Sequence, residues 1–109
     1  MKNLFRTFQE KENWFDGVMT RADHHAKEVI NIVPRLYFLL ETHASDLQVK
    51  YRDNEAMGNV LWFKINGEPH CLAYNHNTKK IDFRNRNQKG TTIASFDNES
   101  QNIEQYFLP

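Results

Sequence analysis

The stretch NVLWFKINGEPHCLAYN, residues 59–75, decides the fold. In an extended chain, successive side chains point to opposite faces. Leu61, Phe63 and Ile65 therefore point one way, and Val60 and Trp62 the other. Asn66-Gly67 follows, a strong hairpin signal, because a type I′ turn needs positive φ at both central positions. The stretch reads as two antiparallel strands, Asn59–Asn66 and Glu68–Asn75. Pro69 lies near the start of the second, where a missing N–H is tolerated. Both faces of the first strand carry apolar side chains. A helix can cover one face, so something else has to cover the other.

The same alternation continues toward the C-terminus. Asn75–Thr78 is a turn, Lys79–Asn85 a strand carrying Ile81 and Phe83, Gln88–Gly90 a turn, and Thr91–Phe96 a strand. Asp97-Asn98-Glu99-Ser100 is rich in capping residues, and Asn98 with Gln101 resembles a capping box. A short helix carrying Ile103, Tyr106 and Phe107 follows. On the other side, Leu47, Val49 and Tyr51 alternate with Gln48, Lys50 and Arg52, which marks a half-buried strand ahead of a loop at 54–58.

Upstream of His43 the period changes. Phe15, Val18, Met19, Ala22, Ala26, Val29, Ile30, Val33, Leu36, Tyr37 and Leu40 recur at steps of three and four, the spacing of one helix face. Asn13 with Asp16, or Thr20 with Asp23, supplies a start signal. Gly17 is a candidate end for a first helix, with Thr20 opening a second. Pro34 falls inside the stripe, but the apolar phase runs across it, which favours a bent helix over a strand at 35–40.

The expected class is α+β: a long bent N-terminal helix packed on a five-stranded antiparallel meander sheet, with a short C-terminal helix, in one domain spanning 1–109. The expected core is Leu61, Phe63, Ile65, Ile81, Phe83 and Ile93. The opposite face is expected to show Val60, Trp62, Leu72, Tyr74, Ala94 and Phe96. A solvated face should be mostly polar. Terminal elements, a second copy of the chain or a ligand are the three ways to cover it.

Fourteen basic and fourteen acidic side chains give a formal net charge of zero. No global field draws the protein to nucleic acid or to a membrane surface. Cys71 is the only cysteine, which excludes an internal disulfide and a multi-cysteine zinc site. No apolar run reaches the length of a membrane span, and the first fourteen residues lack the apolar core of a signal peptide. A cytoplasmic setting is expected.

No phosphate-binding glycine loop, serine elbow or HExxH helix is present, so no catalytic residue is assigned. His24 and His25 are adjacent and diverge on a helix, while His70, Cys71 and His76 do not converge on an extended strand. No metal site and no cofactor are expected. The leading expectation is a non-catalytic interaction domain, a homodimer or a binder of another protein, with Trp62, Tyr74, Phe96, Leu72 and Val60 as its surface. The alternative is a small-molecule site, for binding or for catalysis, between helix and curved sheet, drawing on Asp23, His25 and Tyr37. A third is weak single-stranded nucleic-acid binding through Lys80, Arg84, Arg86 and Lys64, whose plain rival is a solvated charged strand.

Overall fold

The computed structural model describes residues 2–58 and 60–108. It is an α+β fold: β1 (Lys2–Leu4), α1 (Phe8–His25), α2 (Ile32–His43), β2 (Ala44–Arg52), β3 (Glu55–Ala56), β4 (Val60–Ile65), β5 (Glu68–Asn75), β6 (Lys80–Asn85) and β7 (Thr92–Phe96), closed by a 3-10 helix at Ile103–Tyr106. The antiparallel sheet runs in the order β1-β2-β4-β5-β6-β7, with β3 pairing off β2. The five strands of the expected meander are β2, β4, β5, β6 and β7. The two short strands β1 and β3 add to it. Asn59, expected to open the second strand, lies outside the described residues. Among the described residues, no helix is long and apolar enough to cross a membrane.

The hairpin signal at Asn66-Gly67 is realised, with φ of 52° and 82°. The helical stripe resolves differently from a single bent helix. Two helices form, and the break falls at 26–31, ahead of Pro34 rather than on it. Pro34 sits in the first turn of α2, where its missing N–H costs no hydrogen bond. The start signal for α1 is Thr7, upstream of Asn13. Its Oγ1 accepts from the Glu10 backbone N–H at 3.0 Å, and Glu10 Oε1 in turn accepts from Arg6 N–H at 3.1 Å. Gly17 and Thr20 lie inside this helix.

Asn98 does not open the C-terminal helix. It reaches back across the fold to cap α2, its Oδ1 accepting from Asn31 N–H (2.8 Å) and Ile32 N–H (3.2 Å), while its Nδ2 donates to Lys27 O (2.6 Å). Asn98 thereby ties the end of β7 to the α1–α2 turn.

Strand pairing fixes the two faces. Leu61 stands opposite Leu72, Leu72 opposite Phe83, and Phe83 opposite Ala94. Leu61, Phe63, Ile65, Leu72, Tyr74, Ile81, Phe83, Ala94 and Phe96 therefore share one face, and the helices cover it. This corrects the expected division. Leu72, Tyr74, Ala94 and Phe96 belong to the helix-covered face, and Ile93 points the other way, 44% exposed. A register shift between Phe83 and Arg84 places Thr92 opposite Arg84. The 3-10 helix also packs on the helix-covered face, through Ile103 and Phe107.

The outer face is closed by its own side chains. Trp62 is buried, with Lys2 Nζ and Lys50 Nζ 5.5 and 5.6 Å from its ring centroid. Asp82, 4% exposed, accepts from Arg84 (2.9 Å), Asn75 (3.1 Å) and Ser95 (2.8 Å). Burial works to raise its pKa, but these donors outweigh it and hold the carboxyl below its ordinary value.

Candidate functional site: an apolar cavity between helices and sheet

The helix-covered face is not filled along its whole length. At one end Phe63, Phe83, Phe96 and Phe107 interlock, with Phe83–Phe107 centroids 5.3 Å apart and Phe83–Phe96 centroids 6.2 Å apart. At the other end a cavity of about 350 Å³ lies between α1, α2 and strands β4–β6. Its size falls in the range of small-ligand sites. Small side chains at Ala22 and Ala26 help leave the space open, where larger ones would fill it. Phe15, Val18, Val29, Val33, Leu36 and Leu40 line the helical side, and Leu61, Leu72 and Ile81 the sheet side.

The polar groups of the lining are few. Tyr37 stacks on Phe15 at 4.0 Å between centroids and donates its hydroxyl to Glu12 Oε2 at 3.3 Å. Burial, then hydrogen bonding to Glu41, drives its pKa far above the ordinary phenol value, so it stays neutral. Tyr74 meets the His76 ring edge-on at 4.9 Å. Trp14 lines the cavity and donates Nε1–H to Met57 O at 3.1 Å, which fastens the loop ahead of β4 against α1. Arg21, His25, Gly58 and His76 complete the lining.

Of the three residues expected at a ligand site, His25 and Tyr37 line the cavity. Asp23 is exposed and outside the lining. Its position explains this: it lies one residue from Ala22 and two from His25, and adjacent helical residues diverge by about 100°. Residues expected at an interaction surface are divided. Leu72 and Tyr74 line the cavity, Phe96 is buried in the aromatic cluster, and Trp62 lies on the outer face. Val60 comes from that outer alternation yet also borders the cavity at the start of β4. They form no common surface. The cations expected at a nucleic-acid patch are mostly engaged: Arg84 with Asp82 (2.9 Å), Lys80 with Asp97 (3.9 Å) and Lys64 with Asp46 (3.4 Å). Arg86 is exposed just beyond β6.

Residues the sequence did not single out include Trp14, Arg21 and Gly58, while His76 was considered there only as a metal ligand. The apolar stripe did contain the helical wall, from Phe15 to Leu40, but as core.

Among the described residues, Cys71 is buried and His70 half-buried, each set singly in the packing. Cys71 is 0% exposed, and burial pushes its thiol pKa up to about 11. His70 packs edge-on against Phe83 at 5.0 Å, and burial lowers its pKa. Among the described residues, no three His, Cys, Asp or Glu side chains are grouped to hold a metal ion.

No curated protein matches the chain. Residues 11–103 match the family model described as Integron cassette protein VCH_CASS1 chain. The match spans both helices from Lys11 onward, strands β2–β7 and the whole cavity lining. The chain thus belongs to the integron cassette protein VCH_CASS1 family.

Proposed function

We propose that this protein is a non-catalytic binding domain for a small apolar molecule, taken up in the cavity between α1, α2 and the sheet. One observation carries this: an apolar, partly enclosed space of about 350 Å³ in the interior of a domain whose other end is tightly filled. Interiors pack to crystal density, and an unfilled apolar volume costs stability. A ligand that fills it recovers those contacts. Among the described residues of the lining no nucleophile is paired with a base, so binding rather than turnover is the reading. The single, buried, protonated Cys71 suits a cytoplasmic protein.

The test is a fluorescence titration. The chain has two tryptophans. Trp62→Phe leaves Trp14, in the cavity wall, as the reporter. Decanol is expected to change its emission saturably, with one site per chain. At about 100 times Kd it adds about 2.7 kcal/mol of stability. Ala22→Phe puts a ring into the cavity and should abolish the response. Ala26→Leu serves as a second filling variant if Ala22→Phe does not fold. A flat titration in the folded parent protein refutes the proposal.

A second reading is self-association through the outer side of the helices. Phe8 and Phe38 are 69% and 67% exposed. They flank the Lys11–Glu41 ion pair (2.9 Å) that joins α1 to α2. Light scattering over a concentration series tests it: a dimer that Phe38→Ser dissociates supports it, and a monomer at all concentrations ends it.

A further inference from the structure

We propose that the ligand is an apolar chain or ring bearing one carboxylate, with the carboxylate held by Arg21 at the edge of the cavity. The inference rests on the binding function proposed above and names its ligand class. Arg21 lines the main cavity and also the shallow hollow beside it formed by Arg52, Asp53, Glu55, Ala56, Met57 and Gly58. It therefore marks the boundary between apolar interior and surface. Its side chain lies against Gly58, where a Cβ would collide with the guanidinium. The missing side chain is what lets the cation lie there. Among the described residues the Arg21 side chain has no ion pair and no hydrogen-bond partner, as is true of Arg52 and Arg86, but of the Lys and Arg side chains it is the one that lines the cavity.

The charge balance of the lining agrees. Among the described residues, no Asp or Glu lines the cavity. Glu12 is engaged with the Tyr37 hydroxyl, Glu41 with Lys11 and Glu28 with Lys79 (3.9 Å), while Asp53 and Glu55 border the outer hollow and not the cavity itself. A cationic ligand would find no carboxylate among the described residues of the wall. A neutral one would leave Arg21 unused. A monoanion would meet a planar guanidinium that matches a carboxylate in a two-pronged hydrogen bond. His25 stands one helical turn beyond Arg21 on the same side of α1, and His76 borders the same space. Both offer ring N–H donors to an anionic head group.

The experiment compares three probes of equal chain length on the Trp62→Phe protein: decanoate, decanol and decylammonium, each below its micelle concentration at moderate salt. Decanoate is expected to bind about fivefold tighter than decanol, the scale of one exposed charge contact, and decylammonium more weakly than either. Arg21→Gln should bring the ratio of decanoate to decanol affinity, read within the variant, from about five down to about one. Equal affinity for decanoate and decanol, a preference for decylammonium, or a decanoate preference that survives Arg21→Gln overturns the inference while leaving the cavity function standing. Failure of all three probes to bind overturns both.

Discussion

The two ends of the helix-covered sheet face are built from one set of strands and reach opposite outcomes. At the β7 end, Phe83 and Phe96 are met by Ile103 of the C-terminal 3-10 helix and by Phe107 just beyond it, all four buried. At the other end, Leu61, Leu72 and Ile81 face Ala22, Ala26, Val29 and Val33, and about 350 Å³ stays open. The third packing element explains the difference. The 3-10 helix plugs one end, while two helices whose facing positions include alanine and valine span the other. Aromatic rings bury about 150–250 Å² each and close gaps that small side chains leave. The filled end holds the fold together, and the open end is free to hold something else.

The contrast breaks first at Phe107. Phe107→Ala should cost about 3–5 kcal/mol by chemical denaturation, because the site is fully buried and ringed by Phe63, Phe83 and Phe96. Leu36→Ala, in the cavity wall, should cost about 2 kcal/mol, the low end for such a truncation, since part of that side chain already faces a void. Equal losses at the two sites would mean that the ends are packed alike.

Asn98 gives the next largest effect. Asn98→Ala removes the cap on α2 and should cost about 1–2 kcal/mol. Amide exchange should quicken at Asn31 and Ile32, loosening the roof of the open end, with the aromatic cluster unchanged.

Asp82 behind the sheet sharpens the comparison through pH. Its pKa is lower in the folded protein than the ordinary value of 3.8. Its ionised form therefore stabilises the fold above that value, and the contribution disappears as pH falls through the lower folded pKa. Asp82→Asn should lower stability at neutral pH and flatten its decline in acid, on both ends of the sheet equally. The smallest effect is expected at Cys71: a thiol reagent at pH 8 should leave it unmodified in the native protein and label it on unfolding.

Much of the fold was legible because strand alternation and turn chemistry are local. Glu68–Asn75 and the Asn66-Gly67 turn are read from neighbours in sequence, and β5 has those bounds in the structure. The division of the faces was less legible. The first strand's alternation was clear, but Tyr74 and Phe96 could be assigned only by knowing which residue of the next strand stands opposite, which is a property of pairing and not of either strand alone. The cavity was half legible. The helical stripe identifies the side chains that turn inward, including Phe15, Val18, Leu36 and Tyr37, but periodicity does not say whether the facing layer touches them. Arg21 carried no signal of its own, since its place depends on Gly58 being brought alongside from a distant loop. The Asn98 cap, spanning 66 and 67 residues, was similarly out of reach.

Methyl-resolved NMR of the uniformly labelled protein, titrated with decanol, tests the contrast most directly. The account predicts saturable shifts at Val18, Val33, Leu36, Leu61 and Leu72 around the cavity, with Val49 and Ile103 unmoved. Shifts spread evenly over both groups, or none at saturating ligand, would contradict a binding site at the open end.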